Sequence, residues 1–502
     1  MDSKTMAGGS IIPAKQTAKI PIDTIQPGAR TKERQATVPG PRSKPILGWR
    51  GNVLSMLGDP VMNMIKLRRN YGDLVALGQE ASAPICVFSP EYNHQVLSDT
   101  KLFYSLDVNS EVAPIQLPRG TSASRLLSGV AGMNGEKHTQ HRRLLMPGFH
   151  KKRVDMLLDT VIMRTQEHIE GWQPGQKLNL AHEMVELSLS LAISGLIGLD
   201  PKEEGSRVRH LLEHWGKHGL SPQVVMLPYD VPGLPYRKFI DYSNQLEAEF
   251  IRVIERKRAS GVDEGDALAI MLQAQDEDGA KMTDTELLGH LTTLFTAGHE
   301  TTACALTWTL FLLSQHPHVM ADLMDELSSK LGGGAPTLEQ MRDLPVLDHV
   351  VNEGLRMFPP GMWMFRTSTA PFEMGGYEFP KGKHIVFSPA VTHRRPDLYA
   401  EPNRFMPERW EGIDPSTYEF LPFGGGPRRC LGATFATLEL KTVIPIILQR
   451  FRLEVPAGTR VDRAGAILST PRGGIPVTVR SQDRRFTPAN VRGNIHDLVD
   501  FN

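Results

Sequence analysis

Apolar residues recur every three or four positions along most of this chain, which is the spacing of helices with one buried face. These patterns predict eight helices, at about 134–147, 151–172, 181–199, 237–259, 282–316, 317–330, 346–357 and 432–450. Two further helices are marked by their ends, because Asp59-Pro60 is followed by Gly72 and because Ser89 precedes Pro90. Asp and Ser cap free N–H groups, Pro fits the first turn, and Gly accepts the left-handed exit.

Short runs of β-forming residues are fewer. They are "LVAL" (74–77), "ICVF" (85–88), "YEF" (377–379), "HIVFS" (384–388) and "PVTVR" (476–480). Such short pieces are too few for a large sheet. The pattern therefore predicts a mainly α fold, a large helical domain with a minor β-rich part.

The ends of the chain differ from its middle. Residues 1–38 are polar, contain Gly, Pro and Thr, and lack periodicity, so we expect a disordered basic N-terminal arm. Its basic excess could touch an anionic membrane surface, but we favour a solvated tail. A proline-rich hinge, "PGPRSKPILG", leads into a folded domain predicted for 39–484, and 485–502 form a C-terminal extension.

Composition excludes several classes of protein. The 502 residues include 56 basic and 56 acidic ones, so bulk charge gives no reason to expect a nucleic-acid partner. Cys86, Cys304 and Cys430 are too few and too widely spaced for a disulfide framework, which favours a reducing cytoplasm. We find neither a secretory signal nor an uninterrupted apolar run of about 18 residues, and therefore expect a cytoplasmic protein without a transmembrane anchor.

One cysteine has unusual neighbours, in "FGGGPRRCLGATFATLELK" (423–441). Glycines let the backbone lie against a flat ligand, and the arginines with the start of a helix favour a thiolate. A phosphate loop would need Gly-Lys-Ser/Thr, a dinucleotide fingerprint would need glycine at Arg429, and structural zinc would need more ligands nearby. A buried structural cysteine is the plain alternative.

The spacing F-x-x-G-x-R-x-C-x-G, filled by Phe423, Gly426, Arg428, Cys430 and Gly432, resembles the haem-binding loop of the cytochrome P-450 superfamily. The resemblance implies that Cys430 is the axial thiolate ligand of haem iron. It also implies that Phe423 packs near the sulfur, that Arg428 pairs with a haem propionate, and that Gly424 and Gly432 belong to the haem cradle.

A second motif, "FTAGHETTA" (295–303), interrupts the long apolar helix predicted for 282–316. Gly298 costs about 1 kcal/mol relative to Ala in mid-helix, which suggests that a ligand needs the space. Taken alone, the Thr301 hydroxyl would bond to a carbonyl one turn back. The segment is similar, however, to the family's A-G-x-[DE]-T motif, which implies that Ala297 and Gly298 face the haem while Glu300 and Thr301 relay protons.

A third constellation is structural. "NEGLR" places Glu353 and Arg356 on one helical face, and "FMPERW" supplies Arg409. On a surface such a pair contributes little. The family resemblance implies that the three side chains form a buried triad behind the haem loop, with a role in folding and haem retention.

Two propionates require cations from several elements. The resemblance offers His138 and Arg142 in "HTQHR" and Arg366 after Pro359-Pro360, although the tryptophan that often fills the position of His138 is absent. The doublets Arg142-Arg143, Arg394-Arg395 and Arg428-Arg429 further suggest a docking patch for an acidic electron carrier, with a solvated surface as the alternative.

The four motif regions span residues 138–432. The resemblance implies a haem b monooxygenase that inserts one oxygen atom from O2 into a lipophilic substrate such as a fatty acid, terpene or steroid. Electrons would come from a separate ferredoxin or flavodoxin with its reductase. Pocket walls are expected near 105–133 and 205–240 and in "GMWMF" (361–365) and "AILST" (466–470), with Arg119 or Arg125 as weaker candidates for holding a carboxylate.

Two rival functions remain open from sequence. A peroxide-driven haem-thiolate enzyme usually lacks the acid and alcohol pair that Glu300 and Thr301 provide. A haem sensor or carrier without catalysis would need neither that pair nor a roomy apolar pocket. Loss of turnover in Thr301→Ala with uncoupled peroxide release would separate a monooxygenase from the peroxide-driven enzyme. Absence of any spin-state change across a library of lipophilic compounds would favour the sensor or carrier.

Overall fold

The computed structural model describes residues 37–105, 117–118, 120–219, 224, 229–262, 265–464 and 467–501. Val38–Asn502 form one compact unit. The predicted N-terminal arm lies outside the described residues except for its last two positions.

Helices make up most of the described chain. In order they are α1 (Trp49–Met56), α2 (Pro60–Tyr71), α3 (Pro90–Ser98), α4 (Ser122–Leu126), α5 (Gly135–Leu145), α6 (Lys151–Asp155), α7 (Leu158–Ile169), α8 (Leu180–Ile197), α9 (Ser206–Gly219), α10 (Pro235–Ser260), α11 (Ala267–Gln273), α12 (Asp284–Gln315), α13 (Pro317–Leu331), α14 (Pro345–Met357), α15 (Pro389–Thr392) and α16 (Ala433–Arg450). The mainly α prediction is confirmed.

The helix ends follow the sequence signals. Asp59 accepts a bond from Met62 N at 3.1 Å to begin α2, and Gly72 ends it with a positive φ of 94°. The predicted helix over 151–172 is wrong as a single element, because i→i+3 bonds tighten the chain at Met156 and Leu157 and separate α6 from α7. Helices α1, α4, α9, α11 and α15 were not predicted.

Within the part of the chain that the structure describes, ten short strands form three sheets. They are β1 (Leu74–Ala76), β2 (Ile85–Val87), β3 (Phe103–Tyr104), β4 (Lys177–Asn179), β5 (Met364–Ser368), β6 (Phe372–Met374), β7 (Tyr377–Phe379), β8 (His384–Phe387), β9 (Phe451–Glu454) and β10 (Pro476–Ser481). The largest sheet has the order β1-β2-β8-β5-β3, and only its β2–β8 pair is parallel. It places Arg366 opposite Ile385. The second sheet runs β4-β10-β9, and β6 pairs with β7.

Helix α12 organises the interior. Its first half, including Leu287 to Phe295, packs into one apolar cluster with α8, α9 and α10, and its second half, from Ala303 to Leu313, packs into another with α13, α14 and α16. The turn between them is left accessible, with Ala297, Gly298 and Glu300 all exposed. A long buried helix therefore presents one uncovered turn at the centre of the fold.

Among the described helices, α8 is long and apolar enough to cross a membrane by length and composition. About two thirds of it is buried, and it packs against α12, as expected of a core helix. The C-terminal extension also returns to the core, since Val491, Ile495, Leu498 and Val499 join the cluster around α13 and α14.

Candidate functional site

The cysteine loop turns sharply between β8 and α16. Gly424 and Gly426 have φ values of 67° and 65°, a left-handed conformation that glycine adopts without strain. A Cβ on Gly426 would lie 2.1 Å from Leu97 O, so the loop could not approach α3 with any other residue there. The turn closes when Cys430 N donates to Phe423 O at 2.8 Å. These contacts fix the cysteine at the start of α16.

The Cys430 thiol is accessible from a cleft, although protein surrounds it on its other sides. Burial raises its pKa, while the N–H of Gly432 and then the charges of Arg142 and Arg429 act in the opposite direction. A Cβ on Gly432 would sit 3.9 Å from Cys430 Sγ, so the glycine lies directly beside the sulfur. A metal ion that coordinated this sulfur would remove its proton outright.

Four cationic or ionisable side chains from three parts of the chain share one region, namely His138 and Arg142 on α5, Arg366 on β5 and Arg428 in the cysteine loop. Burial, and to a smaller extent the positive charge of Arg428, lowers the pKa of Arg366 to about 10. Burial, and to a smaller extent the positive charge of Arg142, lowers the pKa of Arg428 to about 10. The same three arginines, after burial, lower the pKa of His138 to about 4. This mutual repulsion fits an anionic group bound among them.

Arg428 shows the fit most clearly. Its Nη2 donates to Asn134 Oδ1 at 2.7 Å and to Met133 O, while its Nε is buried without a hydrogen-bond partner. Arg142 Nη2 donates to Arg429 O at 2.6 Å, and Arg366 Nη1 donates to Phe365 O at 2.9 Å. A buried guanidinium nitrogen without an acceptor is costly, and a carboxylate is the ligand that suits it.

The uncovered turn of α12 contains the second predicted motif. The Thr301 hydroxyl donates to Ala297 O at 2.5 Å, which is the plain alternative considered from sequence. The oxygen of that hydroxyl still has lone pairs with which to accept a proton. A side chain at Gly298 would meet nothing within 4 Å, so the glycine opens onto free space. Glu300 is exposed on the same turn.

Sequence reasoning missed a buried acid behind this turn. Burial raises the pKa of Glu439 on α16 to about 8, although its hydrogen bond with Thr302 opposes the shift. Glu439 therefore holds a proton near neutrality. The Thr302 hydroxyl donates to Gly298 O at 3.0 Å, so the protonated carboxyl donates to the Thr302 oxygen. An acidic residue within the apolar stripe of "ATLELK" was the available signal.

Glu353 and Arg356 form a fully buried, two-bond ion pair. Arg356 Nε lies 2.8 Å from Glu353 Oε2, and Arg356 Nη2 lies 2.8 Å from Glu353 Oε1. Arg409 Nε donates to Glu353 Oε1 at 3.0 Å, so the structure brings together all three residues of the predicted triad. Trp410 Nε1 and Met406 N complete the set of donors, at 3.0 Å each.

His393 connects this triad to the cysteine loop. Leu421 N donates to its Nε2 at 2.7 Å, so Nδ1 carries the proton and donates to Arg356 O at 3.1 Å. Burial and then Arg356 lower the pKa of His393 to about 3, which keeps it neutral. The ring therefore bridges the end of α14 and the segment that enters the loop.

A pair of histidines, His141 and His290, supports α5, the helix that carries His138 and Arg142. Val130 N donates to His290 Nδ1 at 3.2 Å, so His290 Nε2 carries a proton and donates to His141 Nδ1 at 3.0 Å. His141 Nε2 then faces Glu286 Oε1 at 3.3 Å. The chain of bonds ties α5 to α12, and no local sequence pattern indicates it.

The prediction that Arg394-Arg395 joins a surface patch is wrong. Their exposed fractions are 7% and 8%. Arg394 donates to Ala390 O and Met357 O, while Arg395 pairs with Asp73 at 2.7 Å and with Asp397 at 2.6 Å. Packing against α2 and α14 buries both side chains, and their guanidinium groups are already paired with carbonyl and carboxylate oxygens inside the protein.

A cleft of about 720 Å³ opens beside Cys430. Lys151 pairs with Asp155 and Lys441 with Asp348 along its wall. Its remaining charged lining residues are cationic, namely Arg142, Arg342 and Arg429. The cleft is therefore net positive.

Comparison with known proteins agrees with this geometry. The cytochrome P450 family model matches residues 38–475. Cyclooctat-9-en-7-ol 5-monooxygenase of Streptomyces melanosporofaciens is 30% identical over 448 residues, covering 88% of this chain and 94% of that protein. Cyclooctatin synthase from the same organism is 30% identical over 450 residues, covering 87% and 94%.

Solved structures show the same architecture. The retinoic acid-bound cyanobacterial CYP120A1 superposes with a TM-score of 0.75 at 25% identity, covering 89% of this chain and all of that one. The cytochrome P450DA heme domain gives a TM-score of 0.75 at 25% identity, covering 90% and 100%. The family uses haem, O2, a substrate and a redox partner. The chain belongs to the cytochrome P450 family and is a cytochrome P450 monooxygenase.

Proposed function

We propose that this protein binds haem b through Cys430 and inserts one atom of O2 into a lipophilic substrate. The observation that carries the proposal is the buried Nε of Arg428, which has no hydrogen-bond partner, in a group that also contains Arg142, Arg366 and His138. Burial lowers the pKa of all four, and neighbouring arginines add to the shift for Arg366, Arg428 and His138. Two propionates are the anions that such a group suits. Cys430 would be the thiolate ligand, and Phe423, Gly424 and Gly432 would shape the loop around it.

Bound haem would supply the activation of O2 at its iron. The chain's own contribution on that side would come from the exposed turn of α12. Ala297 and Gly298 leave room, Thr301 would accept and pass on a proton, and Glu300 would exchange protons with solvent. Behind them, Glu439 and Thr302 hold the helix by a neutral hydrogen bond, which keeps a second negative charge away from the turn. Glu353, Arg356 and Arg409 would hold the loop in place.

A lipophilic substrate is supported by the two predicted wall segments. Met362 N donates to Ile467 O at 2.9 Å, and Gly361 pairs with Leu468, so the segments 361–365 and 467–470 lie together. Arg125 is an unsuitable anchor for a substrate carboxylate, because Glu247 already pairs with it at 2.6 Å. Arg119 lies outside the described residues. The hydrophobic compounds named for the relatives and for the solved neighbour favour a terpene-like substrate.

A separate electron donor would dock at the cleft beside Cys430. Its positive lining suits an acidic ferredoxin or flavodoxin, and complementary charge speeds association. Arg342→Glu together with Arg429→Glu should lower the rate of reduction and weaken its dependence on salt. Lys381→Glu, which reverses an exposed charge elsewhere, serves as the control. An unchanged rate and salt dependence in the double variant would exclude this docking site.

Reduced protein exposed to carbon monoxide tests the haem ligand. Wild type should show the red-shifted Soret band of sulfur coordination, and Cys430→Ser should lose it. Retention of that band by Cys430→Ser would contradict the proposal. A library of terpenes, steroids and fatty acids, screened by spin-state change, should then identify binders. A complete absence of binders would favour a haem carrier.

A further inference from the structure

An apolar patch lies at the beginning of the folded chain, far in sequence from the haem-binding motifs. Its members are Ile46, Leu47, Leu54 and Leu57, with exposed fractions of 105%, 50%, 54% and 61%. Single exposed apolar residues are common on soluble proteins, but a group of four within twelve residues indicates an interaction site. We call these four residues the N-terminal patch.

Helix α1 is amphipathic in the described fold. On its inner side, Asn52 donates to Leu77 O at 2.9 Å, and Val53 and Met56 pack against the cluster that contains Val75. On its outer side, Arg50 and Leu54 are four residues apart and Leu54 and Leu57 are three apart, so they share one face. The helix is fixed to the β1–β2 hairpin by one face while the other presents leucines to solvent.

Ile46 is held outward by its backbone. It sits at the tip of a turn closed by Lys44 N to Gly48 O at 3.0 Å and Gly48 N to Lys44 O at 2.9 Å. Its φ of 69° is a left-handed value that a β-branched residue rarely adopts. Because the Ile46 side chain does not pack in the interior, a contact with another surface is the simpler explanation for its strained backbone.

The charges around the patch indicate which surface it meets. Arg42, Lys44 and Arg50 are exposed and flank the apolar side chains, and they outnumber the exposed Glu80, whose carboxylate accepts from Trp49 N at 3.2 Å. The preceding 36 residues add six basic and three acidic residues to the sequence. Apolar side chains ringed by Lys and Arg are typical of segments that lie in the interface of a membrane with anionic lipids.

We propose that the N-terminal patch binds the surface of a membrane containing anionic phospholipids, as a peripheral contact. Ile46, Leu47, Leu54 and Leu57 enter the boundary between headgroups and acyl chains, while Arg42, Lys44 and Arg50 stay at the level of the lipid phosphates. A protein partner would not require this combination of exposed basic side chains with aliphatic side chains that are at least half exposed. A lipophilic substrate dissolved in the bilayer would be close at hand, a consequence that rests on the proposed function.

Co-sedimentation of the full-length holoenzyme with vesicles tests the proposal. Wild type should bind vesicles of phosphatidylcholine with phosphatidylglycerol, and bind far less to phosphatidylcholine alone or at high salt. Ile46→Ser, Leu54→Ser and Leu57→Ser combined should lower the partition coefficient at least tenfold. Met156→Ser with Val262→Ser, which removes apolar side chains of similar exposure elsewhere, should leave binding unchanged.

Two further measurements keep the test decisive. Ile46→Gly suits the positive φ and so should fold at least as well as wild type, yet it should bind vesicles more weakly. The carbon monoxide spectrum should be the same in every variant, which separates this proposal from the haem assignment. Failure of wild type to bind anionic vesicles would overturn the proposal. So would a wild-type dimer in size-exclusion chromatography that the triple variant abolishes, because a second copy would then cover the patch.

Discussion

Replacing Glu353 with Gln removes one charge from the buried triad and changes almost no volume. The carboxylate accepts five hydrogen bonds, from Arg356 Nε and Nη2, Arg409 Nε, Trp410 Nε1 and Met406 N. A glutamine has one oxygen, so its NH2 group must face either the donors at Oε1 or those at Oε2. At least two buried donors, one of them charged, lose their acceptor.

Breaking a buried ion pair on one side costs about 3 to 5 kcal/mol, because the remaining charge stays buried without its partner. Unfolding entropy near 2.1 cal/mol/K per residue, over the roughly 465 residues of Val38–Asn502, makes each kcal/mol worth about 1 °C in Tm. Calorimetry of the holoenzyme should therefore find Tm lowered by about 3 to 5 °C in Glu353→Gln. Haem content per chain should fall with it, since His393 links Arg356 to the cysteine loop.

Glu401→Gln is the matched control. Its carboxylate pairs with Arg404 at 2.8 Å, but the two side chains are 55% and 43% exposed. An exposed pair contributes at most about 1 kcal/mol, so its Tm should change by no more than about 1 °C. A Tm and haem content for Glu353→Gln that match those of Glu401→Gln would refute the reasoning.

The pH dependence of the stability difference between wild type and Glu353→Gln tests the same reasoning. Burial acts to raise the pKa of Glu353, but Arg356, and then Arg409 and Met406 N, lower it overall. A carboxyl whose pKa is lower in the folded than in the unfolded protein stabilises fully above the unfolded value of about 4.3. The stability deficit of Glu353→Gln should therefore be constant from neutrality to about pH 5 and shrink only in stronger acid.

Three other changes test the rest of the site. Arg428→Gln should increase haem loss to an acceptor protein at least tenfold, whereas Arg429→Gln should leave it near wild type; equal rates would remove Arg428 from the haem contacts. Thr301→Ala should lower product formed per electron pair and raise peroxide release, while Thr302→Ala should do so much less. Burial, followed by His141, lowers the pKa of His290 to about 3, so stability should decline as pH falls from about 6.5. His290→Gln should flatten that decline in Tm, and an unchanged slope would show that the ring titrates normally.

Local patterns were sufficient for much of the fold. Capping residues located both ends of α2, and periodicity located α12, because one buried stripe controls a long helix. Helix α9 was missed although Val208, Leu211, Leu212 and Trp215 carry the same period. The five-stranded sheet was harder to predict, since its strands contain two to five residues and its parallel pair joins residues 300 positions apart in sequence.

The same division applies to the site. Motif spacing led to Cys430, Glu353 and Arg409, because each belongs to a fixed local pattern. Burial cannot be read from such patterns, which explains the error at Arg394-Arg395. Side chains that act through long-range contacts were also invisible. His290 and His141 are 149 positions apart in sequence, and no local spacing indicates that their rings meet.

The structural triad and the cysteine loop are best understood as one unit. Glu353 orients the Arg356 guanidinium, whose Nη1 donates to His393 O at 2.9 Å, while the His393 ring returns to Arg356 O. The other ring nitrogen accepts from Leu421 N, only two residues before Phe423, whose carbonyl closes the turn at Cys430. The bonds that Arg356 and His393 make in this path are buried, so none of them can exchange its partner for water without cost. Displacement of the ion pair must therefore move either the loop or the histidine, and the position of the sulfur depends on residues that never approach it.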